Sequence, residues 1–280
     1  MDKIIIMEIR TLPDFLINQI AAGEVIERPA FIIKELIENA IDAKATEISI
    51  NVQNGGKKEI VVSDNGIGMT PDQLRICVKR HATSKLPDDN LNNINFLGFR
   101  GEALPSICSV SELKIESSRK NLNDGWCVKL NNNKVIDFYP SPIKNGTKVT
   151  VKNIFKRIPA RLKFLKSNHV ENRHSLQIIK KIALGHPEIK FTYKFEENPH
   201  YTLKKENLNE GGFKKRILDI FQDDFCNNSH PIEKKIKYHS GTFRLRGFIS
   251  TPSFNKVNQS NQFLFVNGRP VQDRGIATII

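Results

Sequence analysis

Long apolar runs and clustered cysteines are both missing from this sequence of 280 residues. No stretch reaches the roughly eighteen consecutive apolar residues that a membrane-spanning helix needs, and the short run Ile4-Ile5-Ile6 has charged neighbours on both sides. We therefore expect neither a signal peptide nor a membrane helix. The cysteines have neither the spacing of a zinc site nor the density of a secreted disulfide scaffold, since they lie far apart at Cys77, Cys108, Cys127 and Cys226. Buried thiols in a reducing cytoplasm are the interpretation that we favour.

The sequence also lacks the two common phosphate-binding fingerprints. Neither the G-x-x-x-x-G-K-[ST] loop nor the G-x-G-x-x-G motif occurs in it. Both motifs place a glycine-rich turn at the start of a helix, where backbone N–H groups bind phosphate. If the protein binds a nucleotide, it must therefore do so with a different architecture.

Excess positive charge is confined to the second half of the chain. Residues 1–150 contain 19 Lys+Arg and 19 Asp+Glu, whereas residues 151–280 contain 24 and 11 and so account for the whole net charge of +13. A basic half raises the local concentration of anions, which favours a polyanion such as nucleic acid as a partner. A basic surface that is merely solvated explains the same counts, so charge alone leaves both alternatives open.

Hydrophobic periodicity predicts alternating helices and short strands. Apolar positions at helical spacing predict helices near 13–21, 29–43, 71–80, 160–166, 170–184 and 213–222, and another that starts near Glu102. Alternating runs predict strands near 48–52, 60–62, 110–118, 126–139, 147–154, 234–239, 243–250 and 262–267. The polar segment from His81 to Gly101 has little periodicity, which is typical of a functional lid or of disorder. The stretch from Glu196 to Gly212, rich in Asn, Glu and Lys, predicts a domain boundary.

Two groups of polar residues lie next to predicted secondary structure. On the helix that begins at Pro29, Glu35 and Asn39 are four residues apart and therefore share a face, although carboxylates at such positions are usually just solvated. Asp64-x-Gly66-x-Gly68 directly follows a predicted strand. An aspartate at a strand end followed by glycines allows a flat ring to approach the backbone, and an ordinary turn gives the same pattern.

A third group lies in the long polar segment. It consists of the run from His81 to Lys85 and the run from Gly98 to Leu104. Glycines next to a helix start expose backbone N–H groups, and the positive end of the helix favours a phosphate there. Lys85 and Arg100 add positive charge. A solvated surface loop remains the alternative.

The order and spacing of these motifs resemble those of the MutL family of DNA mismatch-repair proteins. The resemblance rests on Asn18 to Pro29, Lys34 to Ala40, Asp64 to Gly68, His81 to Lys85 and Gly98 to Leu104, and it continues in Pro159-Ala160-Arg161-x-Lys163-Phe164-Leu165 and Phe265 to Arg269. That family belongs to the ATPase group that contains gyrase B subunits, sensor histidine kinases and an ATP-dependent chaperone. The run from Gly98 to Leu104 is the part most particular to the repair proteins and disfavours another branch of the group.

The resemblance implies an α/β fold in two parts. Residues 1–200 would form a two-layer sandwich of mixed β-sheet and helices that holds ATP, and residues 201–280 would begin a smaller, incomplete α/β domain. The implied activity is slow hydrolysis of ATP with Mg²⁺ in the cytoplasm. Closure of the lid and self-association of the N-terminal region would couple mismatch recognition by a MutS-type protein to downstream repair enzymes.

Roles for individual residues follow from the same resemblance. Glu35 resembles the general base, Asn39 the magnesium ligand, and Asp64 the acceptor for the adenine amino group, with Thr147 assisting through water. The other implied nucleotide contacts are Asp42, Gly66, Gly68, Met69, Thr83, Ser84, Lys85, Gly98, Phe99, Arg100, Gly101, Glu102, Ala103 and Leu104. Non-specific, salt-sensitive contacts to DNA phosphates in a basic groove are expected from Arg161, Lys163, Lys166, Arg173, Lys180, Lys181, Lys214, Lys215 and Arg216.

Two departures from the family pattern qualify these expectations. Arg157-Ile158 occupy the places where the family usually has Asn-Thr, so the resemblance does not imply the contacts of that polar pair for this chain. The family also carries a lysine that reaches the γ-phosphate from the second domain, in the motif Asn-Val-His-Pro-Ala-Lys, and this motif is expected beyond residue 280. The alternative function is therefore a switch module that binds nucleotide and DNA without significant hydrolysis.

Overall fold

A computed structural model describes residues 26–86, 96–98, 100–120, 122, 124–239, 241–254 and 262–279, and also positions 11, 13 and 17. Phe99, the motif from Asn18 to Val25 and most of the helix predicted at 13–21 lie outside the described residues. The chain folds into two compact units, one of residues 1–175 and 193–200 and one of residues 176–192 and 201–280. In the part of the chain that the structure describes, no helix is both long and apolar enough to cross a membrane.

Helices and strands alternate along both units. The helices are α1 (Pro29–Asp42), α2 (Pro71–Ile76), α3 (Ala103–Val110), α4 (Pro159–Phe164), α5 (Asn168–Gly185), α6 (Glu210–Asn227) and α7 (Arg274–Ile279). The strands of the first half are β1 (Glu47–Gln53), β2 (Glu59–Asp64), β3 (Glu112–Ser118), β4 (Trp126–Asn131), β5 (Lys134–Pro140) and β6 (Gly146–Lys152). Those that follow are β7 (Lys190–Phe195), β8 (Tyr201–Leu203), β9 (Ser229–Tyr238), β10 (Gly241–Ser250), β11 (Leu264–Val266) and β12 (Arg269–Val271).

An eight-stranded sheet is the frame of the fold. Its strand order is β5-β4-β3-β6-β2-β1-β7-β8, and β9–β10 and β11–β12 form two separate antiparallel pairs. In β1 and β2, which pair antiparallel, alternate residues are buried, as expected for strands with one face on a core. The predicted α/β sandwich of a sheet and helices is confirmed.

Helix α1 packs on the buried face of β1 and β2. Its apolar residues Ile32, Ile33, Leu36 and Ile37 are at most 3% exposed, and each contributes about 1.5–3 kcal/mol when fully buried. Pro29 stands at the first position of the helix, where the missing N–H leaves no hydrogen bond unmade. This packing directs the polar residues of α1 away from the core.

Several predicted elements differ from those observed. The helix that begins at Pro71 ends at Ile76, well before the predicted end at Arg80. The strand predicted at 126–139 is a hairpin, because Asn132 and Asn133 turn the chain with φ of 52° and 58°, a backbone region that asparagine tolerates better than most residues. Strands β7, β8 and β12 were not predicted, and β8 lies within the predicted domain boundary at 196–212.

Arg216 on α6 is part of the core of the second unit. Its side chain is fully buried, and its guanidinium donates hydrogen bonds of 2.6–3.1 Å to four backbone carbonyl oxygens, those of Ala183, Pro187, Ile189 and Lys204. The prediction that Arg216 contacts DNA phosphates is therefore wrong, because its side chain is enclosed inside the protein. The neighbouring Lys214 and Lys215 are exposed.

We expect Arg216→Met to lower the free energy of unfolding of the second unit by about 3 kcal/mol or more, because four backbone carbonyl oxygens, three of them buried, lose a charged donor. Urea denaturation followed by circular dichroism measures this change. The matched control is Lys215→Met, whose side chain is 70% exposed, and there we expect a change within about 0.5 kcal/mol. Equal stability of the two variants would contradict the structural role of Arg216.

Candidate functional site

The polar face of α1 carries three of the predicted site residues. Glu35, Asn39 and Asp42 follow each other at intervals of four and three, which places them on one side of the helix. The Glu35 side chain is 25% exposed, and its Oε1 accepts a hydrogen bond of 3.0 Å from Lys34 Nζ. The carboxylate therefore remains accessible to water while being held beside a cation.

Asp64 is the last residue of β2, and the turn that follows it packs against the C-terminal end of α1. The Gly66 N–H donates to Asp64 Oδ1 over 2.8 Å, and the Ile67 N–H donates to the Ala43 carbonyl over 2.9 Å. A Cβ on Gly66 would lie 2.6 Å from that same carbonyl oxygen, so the position has room only for glycine.

Gly68 makes the second close approach of this turn. It has a φ of +66°, and a Cβ there would lie 2.0 Å from the Ser118 carbonyl oxygen at the end of β3. Both the backbone conformation and the space exclude a side chain. The two glycines therefore hold the Asp64 turn between α1 and β3.

Ser117 completes this part of the site and was not predicted from the sequence. Its Oγ donates to the Gly146 carbonyl, accepts from the Met69 N–H over 2.9 Å, and lies 3.0 Å from Thr147 Oγ1. Thr147 is paired with both Asp64 and Ser117 across the sheet. Ser117 thus links the predicted Thr147 and Met69, but only the strand pairing reveals this, since Ser117 belongs to no motif.

Burial raises the pKa of the Asp64 carboxyl from 3.8 to about 6, although the backbone N–H groups of Gly66 and Thr147 act to lower it. The carboxyl group therefore changes between its protonated and ionised forms close to neutral pH. An ionised carboxylate in this position is an acceptor for a donor group that enters from outside the protein.

The two runs of the predicted lid, residues 81–85 and 98–104, lie against α1 at Asp42; we call them the lid runs. Lys85 Nζ donates to Asp42 Oδ2 over 2.6 Å and to Asn39 Oδ1 over 2.7 Å. The Leu97 and Gly98 N–H groups donate to Asp42 over 2.8 and 3.1 Å. A Cβ on Gly101 would lie 2.7 Å from the Ala82 carbonyl, so the two runs also touch each other.

The remaining lid residues are more open. Thr83, Ser84 and Arg100 are exposed, and Thr83 Oγ1 accepts from the Lys85 N–H over 3.1 Å. Glu102 precedes α3, whose first turn contains Ala103 and Leu104, and none of the described side chains caps this helix start. The backbone N–H groups of the first turn have no partner within the helix and can bind an anion.

These donors and acceptors fit a nucleotide with a divalent cation. The oxygens of Asn39 and Asp42 converge on the Lys85 ammonium, which shows that a cation is accommodated between them. Among the described residues, no group of three or more His, Cys, Asp and Glu side chains could hold a metal ion. A magnesium ion here would therefore need phosphate oxygens and waters as further ligands, as is usual for Mg²⁺.

The predicted basic residues are divided between the two units. Arg161, Lys163, Lys166 and Arg173 lie in the first unit, and Lys180, Lys181, Lys214 and Lys215 lie in the second. Lys163, Lys166 and Arg173 are exposed, whereas the Arg161 guanidinium lies 5.9 Å from the centre of the Phe155 ring with Nη1 buried. The groove that these residues were predicted to line stays a prediction.

A depression of about 760 Å³ lies on the face of the sheet opposite α1. Its lining alternates in charge, and Lys114 pairs with Glu116 and Lys152 with Glu59, both at 3.0 Å. Antiparallel sheets commonly leave one such polar face in water. We therefore do not assign this depression to the site.

Both parts of the chain match known protein families. Residues 27–157 match the family described as "Histidine kinase-, DNA gyrase B-, and HSP90-like ATPase", and residues 217–280 match "DNA mismatch repair protein, C-terminal domain". The DNA mismatch repair protein MutL of Rickettsia bellii is 42% identical over 269 residues, which cover 96% of this chain and 43% of the relative. That of Azorhizobium caulinodans is 43% identical over 268 residues, which cover 96% of this chain and 42% of the relative. The chain thus spans less than half the length of these curated relatives.

Solved structures agree with this assignment. The Aquifex aeolicus MutL ATPase domain complexed with ADP superposes with a TM-score of 0.69 at 30% identity, covering 91% of this chain and 87% of that one. The N-terminal domain of a DNA repair protein, at 24% identity and a TM-score of 0.75, covers 92% of this chain and 78% of its own and shares the fold. The motifs, the sheet topology and these relatives together show that the chain belongs to the MutL family of DNA mismatch repair proteins.

Proposed function

We propose that the chain binds Mg-ATP at the C-terminal end of α1 and hydrolyses it slowly. The observation that carries this proposal is an unbroken series of contacts around that helix end. From the lid residues Lys85 and Gly98 the series runs through Asp42 to Ala43, and from Ala43 through Gly66 to Asp64. The relative from Aquifex aeolicus with ADP supports a nucleotide as the ligand.

The adenine ring fits the turn after β2. The Asp64 carboxylate would accept from the exocyclic amino group, and Gly66 and Gly68 leave the backbone free of side chains on which a flat ring would clash. Thr147, held by Ser117 in the adjacent strands, is placed to share a water with Asp64. The Asp64 carboxylate would therefore distinguish a base that carries an amino group at this position from one that carries a carbonyl.

The triphosphate fits between α1 and the lid. Asn39 would hold Mg²⁺, which supplies neutralisation of charge on the phosphate oxygens when bound. Lys85 and the uncapped first turn of α3 offer positive charge and backbone N–H groups to the phosphates. Glu35, one helical turn before Asn39 and open to water, would orient a water molecule and accept its proton.

We expect Glu35→Gln to lower the rate of phosphate release by roughly a hundred- to ten-thousand-fold with little change in the affinity for ATP, because general-base catalysis contributes that much. Phosphate release with Mg²⁺ and fluorescence titration with a labelled ATP analogue measure the two quantities. Asp137→Asn, on a side chain that is 49% exposed on β5, is the matched control. Equal rates for the wild type and Glu35→Gln would favour the alternative, a switch module that binds nucleotide without turnover.

Asp64→Asn is expected to abolish ATP binding while it stabilises the folded chain. With a folded pKa of about 6 against 3.8, the carboxyl favours the folded state below about pH 4, and this contribution is lost as the pH rises through 6. At pH 7 the buried charge therefore costs stability, up to about 3 kcal/mol, which asparagine removes. Thermal melts at pH 7 and pH 5 test this, since the gain should shrink at the lower pH.

The same group predicts the pH dependence of binding. The affinity of the wild type for ATP should fall as the pH drops below about 6, because the protonated carboxyl is no longer a free acceptor. Calorimetry between pH 5 and pH 8 measures it. Retained affinity of the Asn variant would argue against the adenine contact.

The wider role that we propose is that of an ATP-dependent mediator of DNA mismatch repair. Closure of the lid over ATP and self-association of the N-terminal region would let hydrolysis time the coupling between a MutS-type recognition protein and downstream repair enzymes in the cytoplasm. What supports this role is the family, whose curated members are named DNA mismatch repair proteins. Four free cysteines suit a reducing compartment.

We propose that the exposed basic residues bind DNA. Lys163 and Lys166 lie beside the exposed end of α4, and residues 152–173 contain seven Lys+Arg and one acid, Glu171, which is buried. Such a surface binds phosphates without reading sequence. The second half of the chain carries the whole excess of positive charge, which supports a polyanion partner.

We expect the double variant Lys163→Ala, Lys166→Ala to reduce the slope of log affinity for DNA against log salt by about two, since each lost phosphate contact lowers it by about one. Fluorescence anisotropy with a labelled duplex at several salt concentrations measures the slope. Lys129→Ala, 46% exposed on β4, is the control and should leave it unchanged. An unchanged slope in the double variant would remove these lysines from the DNA surface.

A further inference from the structure

Phe164 is the most exposed large apolar side chain in the part of the chain that the structure describes. Its exposure is 79%, against 64% for Ile136, which comes next. It is the last residue of α4, a helix of six residues in which no side chain is buried. Leu162 on the same helix is 37% exposed. Single exposed apolar side chains are common on protein surfaces, so the surroundings of the ring must indicate its role.

The residues around Phe164 are mostly cations. Lys163 directly precedes it, Lys166 follows two residues later, and both are exposed. In residues 152–173 the only acid, Glu171, is buried. The cores of protein–protein interfaces are depleted of charged residues, whereas aromatic rings interleaved with Lys and Arg are typical of surfaces that bind single-stranded nucleic acid. The charge around the ring therefore favours a nucleic acid as its partner.

The backbone next to the ring is held from two sides. The Lys166 N–H donates to Glu171 Oε1 over 2.9 Å, and the Lys166 carbonyl accepts from Lys57 Nζ over 2.7 Å. Glu171 is 1% exposed, so the first of these bonds ties the segment to the interior of the first unit. Phe164 lies two residues before this point. A ring on an ordered backbone loses less conformational entropy when it binds than a ring on a free loop.

Phe155, the other ring of this segment, has the opposite environment. It is fully buried, and the Arg161 guanidinium lies 5.9 Å from its centre with Nη1 buried. Arg161 is therefore engaged with the interior, and the two lysines are the cations beside Phe164. A lysine ammonium contacts phosphate as a point charge and reads no sequence.

We propose that Phe164 stacks on an unpaired base of single-stranded DNA while Lys163 and Lys166 contact the phosphates on either side of that base. Every base has a π-face, so this contact tolerates any sequence. In a duplex the bases already stack on each other, and the ring has no free face to contact. The inference rests on the proposed DNA binding and adds a preference for unpaired strands.

Fluorescence anisotropy with a labelled oligothymidylate and with a labelled duplex tests the ring. We expect Phe164→Leu to weaken binding to the oligothymidylate about tenfold, because stacking on one base contributes roughly that much, and to leave the affinity for the duplex unchanged. Leucine keeps an apolar side chain but has no ring face. The matched control, Ile136→Ala on β5, should bind both probes like the wild type. Wild-type affinity of Phe164→Leu for the oligothymidylate would overturn the proposal.

Phe164→Trp separates stacking from a purely structural role of the side chain. Tryptophan offers a larger ring face, so we expect this variant to bind the oligothymidylate at least as tightly as the wild type. Its emission should fall when the oligothymidylate binds, because a stacked base quenches the indole. The wild type, whose one tryptophan is Trp126, gives the background signal. Emission that stays unchanged at saturation would show that no base stacks at this position.

The salt dependence of binding distinguishes this proposal from the proposed DNA binding. Phe164→Leu should leave the slope of log affinity against log salt unchanged, because a ring displaces no counterion, whereas Lys163→Ala, Lys166→Ala should lower it. If only the lysine variant differs from the wild type, the DNA surface stands and the stacking is wrong. If the wild type binds neither probe, both proposals fail. Lost self-association in Phe164→Leu, with oligothymidylate binding retained, would assign the ring to a protein contact instead.

Discussion

The packing of α1 on β1 and β2 is the contact on which the rest of the molecule depends. One side of the helix contributes Ile32, Ile33, Leu36 and Ile37 to the core. The other side carries Glu35, Asn39 and Asp42, and its direction is fixed because the apolar side cannot turn outward without exposing the core. The end of the same helix also receives the turn after β2, through the Ala43 carbonyl. A single orientation of α1 therefore determines both the packing of the core and the position of the site residues.

The sequence predicts those parts of the structure that are local. The helix from Pro29, the strands near 48–52 and 60–62 and the Asp64 turn were all expected, since periodicity and glycine positions specify them. The short strands β7 and β8 were not expected, because β8 has three residues and their place in the sheet is determined by neighbours far away in the chain. Ser117 was missed for a related reason, because its neighbours Met69 and Thr147 are brought to it only by strand pairing.

Burial is the property that is hardest to predict from this sequence. The three consecutive basic residues from Lys214 to Arg216 look equivalent in the sequence, yet the first two are exposed and the third is fully enclosed. Asp64 and Asp42 likewise differ in environment, since one is held by backbone N–H groups of its own turn and the other by the lid. Motifs identify which residues matter, but only the fold decides what each of them can reach.

The enclosure of Arg216 also limits what the overall charge of the chain means. A guanidinium that is bonded to four carbonyl oxygens in the interior displaces no counterion when a polyanion arrives, because it never had one at the surface. The count of 43 Lys+Arg therefore exceeds the number of cations available for pairing with phosphate at the surface. For this protein, electrophoretic mobility and the ionic-strength dependence of association should report different effective charges.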